Sequence, residues 1–234
     1  KENQYIASLI LHIYADYNKR LGAYKITYVL QRDYGINISV GRVYRLMKQL
    51  QLPKMSTDKP AVRSNSSDTE ACCNHLQQKF NQKAPNLVWV SDITYIKAGG
   101  IWYYLCIVMD LFSRKVISWH ISSKANVELV ITAFKKAYEK RNAPYGLMFH
   151  SDRGSQYTAF RRLLDSLNVV QSFSKKGYPF DNACCECFFK YLKKEETNRK
   201  CYRSLTELQL SVFEYIEGYY NTKRPHGTLN MLTP

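Results

Sequence analysis

Along the first fifty or so positions apolar residues recur at spacings of three and four, and from Leu87 onward they recur at every second position. The early part therefore predicts helices, and the later part a sheet. Ile6, Leu9, Ile10 and Ile13 form one stripe between Tyr5 and Leu52, Val29 and Leu30 belong to the next segment, and Gly22 and Gly35 punctuate the run. After Gly35, the stretch Ile-Asn-Ile-Ser offers Ser39 as an N-cap, and Val40, Val43, Tyr44, Leu46, Met47 and Leu50 continue as a helix. Arg42, Arg45 and Lys48 fall on its outward side. Two helices joined by a short turn, the second carrying cations outward, outline a helix-turn-helix, with these three residues as expected DNA contacts. The alternative is a small bundle whose basic face is merely solvated.

Pro53 to Glu70 is rich in Pro, Ser, Thr, Asn, Asp and Lys and reads as a linker. Beyond it, Val88, Val90, Asp92, Thr94 and Ile96 share one face of a strand and Trp89, Ile93 and Tyr95 the other. Ala98-Gly99-Gly100 turns into a second strand, Ile101 to Met109, and a third runs from Val116 to Ile121. A helix from about Ala125 to Lys140 follows, then a short strand, Gly146 to Phe149, that leads to Asp152. A helix from about Ala159 to Leu167, a strand from Val169 to Phe173 and a helix from about Asn182 to Asn198 complete the pattern. The expected class is α/β, a mixed five-stranded sheet flanked by helices and preceded by a small all-α domain. The boundaries divide the chain into a helix-turn-helix at 1–52, a linker at 53–84, a core at 85–198 and a C-terminal helical extension at 199–234.

Composition narrows the partners. Lys and Arg number 34 against 19 Asp and Glu, giving a net charge of +15 spread over the 234 residues, which favours a polyanion contacted by several surfaces. The longest apolar candidate, Ile101 to Met109, is too short to span a membrane. The seven cysteines are odd in number and cluster as Cys72-Cys73 and Cys184-Cys185-x-Cys187, unlike a secreted disulfide framework, so a reducing, cytoplasmic setting is expected. The start at Lys1, without Met or a signal peptide pattern, reads as a fragment of a longer polypeptide.

Against this basic background three acids stand out. Asp92 lies within an apolar strand, Asp152 at the end of another, and Glu186 in a helical segment. Carboxylates beside apolar strands are costly unless compensated, and two Mg2+ or Mn2+ ions held by three carboxylates would compensate them and clamp an in-line phosphoryl displacement. Asp110, Asp165 and Glu128 read instead as solvated surface acids. Gly154 follows Asp152 where backbone would approach a ligand, Lys175 and Lys176 form a basic loop, and Lys190, Lys193 and Lys194 recur along the Glu186 helix as a DNA-facing stripe or a plain solvated face. A zinc site built from Cys184, Cys187 and His226 or Cys201 is a weaker alternative, because no second tight pair exists.

The ordered motifs Trp89-x-x-Asp92-Ile-Thr-Tyr95, Asp110-Leu-Phe-Ser-Arg114, His150-Ser-Asp152-Arg153-Gly-Ser-Gln-Tyr157, Asp181-Asn-Ala183 with Glu186-x-Phe188, and Tyr220-Asn221 with Arg224-Pro-His226 resemble the catalytic subunit of bacterial insertion-sequence transposases with a retroviral-integrase-like core. The resemblance spans essentially the whole chain. It implies a ribonuclease-H-like fold and a DDE site of Asp92, Asp152 and Glu186, using water and then a DNA 3′-hydroxyl as nucleophile. It also implies terminal inverted repeats and target DNA as partners, a homo-oligomer on DNA, a bacterial nucleoid-associated setting, and Arg153, Arg224 and His226 as further DNA contacts. A non-catalytic DNA-binding remnant and a structure-selective nuclease of the same fold are the rival readings.

Two features depart from the pattern. Cysteines flank Glu186, and the 33 residues between Asp152 and Glu186 fall two short of the usual spacing, near Ala159-Phe160-Arg161. Two residues removed from a helix rotate the downstream chain by about 200°, so the deficit must be absorbed locally or the fifth strand is misplaced.

Overall fold

The computed structural model describes residues 2–53, 73–175 and 178–234. The chain divides into two compact units, Lys1–Pro60 and Ala61–Pro234. Most of the linker reading, and Cys72, lie outside the described residues.

Three helices build the first unit: α1 (Glu2–Asp16), α2 (Ala23–Tyr34) and α3 (Val40–Gln49). Ile6, Ile10 and Ile13 of α1, Ile26, Val29 and Leu30 of α2, and Val43, Leu46 and Met47 of α3 are buried, each contributing about 1.5–3 kcal/mol of burial. Gly35 stops α2 in a left-handed conformation (φ 65°), its amide bonding back to Gln31 while Ile36 bonds to Leu30, a closure that suits a residue without Cβ. Four residues later the Ser39 side chain accepts from the Arg42 amide and starts α3. The turn between α2 and α3 is thus fixed chemically at both ends.

The second unit is built on strands β1 (Val88–Ala98), β2 (Ile101–Asp110), β3 (Val116–Ser122), β4 (Met148–Ser151) and β5 (Val170–Phe173), in the sheet order β3-β2-β1-β4-β5. β1, β2 and β3 are antiparallel neighbours, whereas β4 pairs parallel with both β1 and β5. The expected mixed five-stranded sheet is therefore present. Helix α4 (Val127–Lys140), started by the Asn126 side chain, covers one face. There Trp89, Phe134, Phe149, Tyr157 and Phe160 pack as a cluster of tilted and edge-on rings, with Phe134 at its centre.

The segment after Asp152 is not one helix. It forms two short ones, α5 (Ser155–Ala159) and α6 (Arg161–Ser166), broken at Phe160, whose ring is fully buried in the aromatic cluster. β5 keeps its register with β4, Met148 opposite Val170 through Ser151 opposite Phe173.

Helix α7 (Ala183–Glu195) lies against β1, and helix α8 (Leu205–Tyr215) runs on into a wide turn at Ile216–Tyr220. The C-terminal segment is tied into the sheet as well. Tyr202 bridges Ala98 at the end of β1. The Asn221 amide both accepts from and donates to the backbone of Val116, at 3.0 and 2.9 Å, beside the bulge between β2 and β3. No helix among the described residues is long and apolar enough to cross a membrane.

Candidate active site

Parallel pairing of β1 with β4 sets Val88 opposite Met148 and Val90 opposite His150. The ladder ends there, two residues before each acid, and beyond it the charge of Asp152 acts on Asp92, which marks the two carboxyls as neighbours. Each acid is partly buried and accepts a local amide: Ile93 at 2.7 Å for Asp92, and Gly154 at 3.1 Å for Asp152. A Cβ at Gly154 would meet only the end of the Gln156 side chain, which can swing aside.

The electrostatics are those of like charges crowded out of water. Burial first, then the charge of Asp152, and more weakly that of Glu186, push the Asp92 carboxyl up to about 8, against the opposing Ile93 amide and Lys193. Burial also raises Asp152, with the Gly154 amide opposing it, and raises Glu186.

Glu186 is exposed on the first turns of α7. Its helix is held to the sheet by side chains: Asn182 Nδ2 donates to the Ser91 carbonyl at 3.1 Å, and Arg114 donates to Cys184 Sγ at 2.9 Å and to the Phe80 carbonyl at 3.1 Å. Asn182 stands four residues before Glu186, so the clamp sits one helical turn from that carboxylate and one residue from Asp92. Among the described residues no three His, Cys, Asp or Glu side chains are gathered tightly enough to hold an ion between them. Asp92 and Asp152 are the adjacent pair, and Glu186 acts on Asp92 through space.

Buried polar groups support the strands that carry the acids. Ser91 Oγ and Tyr157 OH share a hydrogen bond at 2.9 Å beneath Asp92. His150, fully buried, bonds Ser172 Oγ at 2.9 Å and Ser174 Oγ at 3.2 Å, joining β4 to β5; burial lowers its imidazole to about 4, against the Asp181 contribution. Asp181 accepts from Asn74, Gln78 and the Lys175 amide. Although burial pushes its carboxyl up, these donors hold it below the usual range.

The expected cations separate into groups. Lys190 and Lys193 stand four and seven residues after Glu186, on the same helical stripe. Lys190 is exposed, while Lys193 is half-buried with Nζ 4.9 Å from the centre of the Tyr95 ring; burial lowers it and Asp92 raises it. Lys194 is half-buried and Lys175 exposed, and Lys176 lies outside the described residues. Arg153 Nε donates to the Ser174 carbonyl at 2.9 Å. In the first unit Arg45 and Lys48 are exposed.

Four readings need correction. Arg224 is not a DNA contact: it is 2% exposed, bonds both oxygens of Glu195 at 2.8 Å and lies 4.0 Å over the Tyr191 ring. Tyr215 OH donates to the same Glu195 carboxylate at 2.8 Å, so the end of α7 is locked to the C-terminal segment. Asp110 is not a solvated acid. It is fully buried, accepting from the Asn86 amide and from the Ser113 amide and hydroxyl, and it shapes the turn after β2. Arg42 does not project freely, because its guanidinium bonds Asn3 at 2.7 Å and Glu2 at 3.1 Å at the start of α1. His226 does not project freely either: it is half-buried and shares a 2.9 Å hydrogen bond with Thr228 within its own turn. Sequence reasoning missed Asn182 as a clamp; its spacing of four from Glu186 was the available signal.

With this geometry in place, comparison with known proteins is informative. A family model described as "Integrase core domain" matches residues 82–179, a second model of that description matches 167–234, and one described as "HTH-like domain" matches 1–56. The chain is 36% identical over 236 residues to the transposase for insertion sequence element IS904 of Lactococcus lactis subsp. lactis (strain IL1403), covering 100% of this chain and 93% of that protein. It is 33% identical over 234 residues to the transposase InsF for insertion sequence IS3A of Escherichia coli (strain K12), covering 99% and 81%. A chain of the simian T-cell lymphotropic virus intasome, solved with PP2A regulatory subunit B56 gamma, aligns with 94% of this chain and 70% of its own length at 17% identity and a TM-score of 0.48.

Proposed function

We infer the chemistry of the site from one premise: the chain belongs to the transposases of bacterial insertion sequences, with an integrase core and an HTH-like domain. It is an enzyme of DNA transposition that binds DNA. The inference concerns which residues act and how.

Asp92, Asp152 and Glu186 are assigned as the catalytic carboxylates. The observation that supports the assignment is that the charges of Asp152 and, more weakly, Glu186 act on Asp92, while the Asn182 bond to Ser91 ties the start of the Glu186 helix to the strand that carries Asp92. The residues fit hard divalent cations. Burial, with the charge of Asp152 second, pushes Asp92 up to about 8, a cost that a bound cation would relieve, and oxygen-only donors of this kind suit Mg2+ or Mn2+. A pair of such ions would polarise the phosphodiester and make water or a 3′-hydroxyl a competent nucleophile. The protein's own groups do the rest. Asp92 and Asp152 would hold such ions from the sheet side, and Glu186 would join them from α7 once the ion draws the three carboxylates together. Lys190 and Lys193, on the Glu186 stripe, meet DNA phosphates, as do Lys175 and Arg153. The preferred DNA is the element's terminal inverted repeats and then the target, and because two ends must be joined, the working form is a multimer.

Purified protein should nick and join DNA bearing those repeats only with Mg2+ or Mn2+. Asp152→Asn and Glu186→Gln should each lower both steps by about a thousandfold or more while leaving end binding intact. Metal-independent activity, or full activity in either variant, would overturn the assignment. We assign end recognition to α3 through Arg45 and Lys48. Arg45→Ala should weaken end binding by about tenfold with metal affinity unchanged, and unaltered binding would leave the first unit a bundle without that role.

A further inference from the structure

On the β1–β2 hairpin, cations and rings alternate. Lys193 Nζ stands 4.9 Å from the centre of the Tyr95 ring, Tyr95 meets Trp102 edge-on at 5.2 Å and 83°, and Lys97 Nζ stands 5.8 Å from the centre of Trp102. Tyr95 is 52% exposed and Trp102 50%. The register sets Tyr95 opposite Tyr104 and Lys97 opposite Trp102, so the two rings are diagonal neighbours across the hairpin. Hairpin stabilisation alone would account for the ring contact. It does not account for a cation over each ring.

We propose that Tyr95 and Trp102 form a stacking platform for an unpaired base of the DNA end. The inference rests on the reading that DNA is handled at Asp92 and Asp152. Tyr95 lies on the strand face opposite Asp92, but the cation over its ring, Lys193, comes from α7 seven residues after Glu186, so the platform borders the helix that carries that acid. A base of a strand that runs along α7 therefore falls on the platform. Within a duplex the face of a base is covered by its stacked neighbours, so the ligand is a frayed or single-stranded end. Lys97 and Lys193, each over one ring, supply the charge that its phosphates require. Stacking of this kind tolerates any base, so the platform contributes to holding an opened end and not to reading its sequence.

Binding of the full chain to an oligothymidylate strand and to a blunt duplex of equal length, measured by fluorescence anisotropy without divalent ions, tests the proposal. Trp102→Ala and Tyr95→Ala should each weaken single-strand binding about tenfold, the loss of one base stack, with duplex binding changed by less than about twofold. Trp102→Phe, which keeps a ring, should stay within about threefold of wild type on both. Equal losses on the two DNAs, or no loss on the single strand, would overturn it. A readout without substitutions is 2-aminopurine placed along an unpaired 3′ tail. Wild-type protein should quench it most at one position along the tail, and uniform quenching would count against the platform. Because no cleavage is needed, failure here is separate from failure of the three-acid chemistry.

Discussion

Asp92 and Asp152 are brought together by backbone pairing, whereas Glu186 is brought near them by side chains. The parallel ladder of β1 and β4 ends two residues before each acid and delivers the chain to both, and its peptide hydrogen bonds do not depend on which side chains are present. Helix α7 has no ladder to the sheet. Its start is held by Asn182 on the Ser91 carbonyl and by Arg114 on Cys184, and its end by Glu195 on Arg224 and Tyr215. One half of the site should therefore tolerate single side-chain changes around it, while the other half should be sensitive to them.

The strongest test of that contrast is the far end of α7. Arg224→Ala leaves the Glu195 carboxylate buried and uncompensated, and should cost about 3–5 kcal/mol of unfolding stability. Pairing Arg224→Met with Glu195→Leu should recover most of it. Urea denaturation measures both, and a loss below about 1 kcal/mol for Arg224→Ala would mean the pair does not hold the helix.

On the strand side, His150 gives a pH signature. Its folded value of about 4 lies below the ordinary value near 6.5, so between those values the unfolded chain binds the extra proton. Its contribution is fully present above about 6.5 and is lost as pH falls toward 4, by about 3 kcal/mol in all. Asp92 has the opposite sign: raised to about 8, it binds its proton more readily in the folded chain, so stability falls as pH rises from about 4 to 8 when no divalent ion is present. The stability difference between wild type and His150→Gln should isolate the first effect, growing in favour of wild type between about pH 4 and 6.5; a difference that does not vary with pH would remove His150 from the account. Saturating Mg2+ should abolish the Asp92 slope if that acid ligates metal.

The smallest effect on stability is expected at the near end of α7. Asn182→Ala removes one buried hydrogen bond, about 1 kcal/mol, yet should lower cleavage about tenfold because it releases the turn next to Glu186. Asn182→Asp, which loses the donor but keeps the volume, should behave alike. If activity falls no more than stability does, Asn182 has no part in positioning.

Much of the fold was legible because it repeats a local rule. Period-two apolar residues marked β1, β2 and β3, and Ser39 and Gly35 marked the turn between α2 and α3. Elements that depended on distant partners were read less well. Arg224 and Asp110 looked like surface charges because charge in a sequence carries no burial; only the Glu195 carboxylate and the Asn86 and Ser113 donors, brought in from elsewhere, make their burial affordable. Arg42 was read from helical phase alone, which cannot register Glu2 and Asn3 approaching from α1. The segment after Asp152 looked like a single helix because Phe160 continues the apolar pattern, but its ring is worth more in the cluster with Phe134 and Phe149 than an unbroken helix would be.

By itself the sequence determined which chemistry was available: three carboxylates in a chain of net charge +15, two of them carried within or just beyond strands, and an ordered set of motifs around them. Periodicity and turn residues are local, and local signals survive in a linear code. The tertiary structure alone decided how the acids share a site, because register, the Asn182 clamp and the Glu195–Arg224 pair join residues far apart in sequence. It also decided that Tyr95 and Trp102 stand half-exposed beside Lys193 and not inside the core, since exposure is a property of what packs around a side chain.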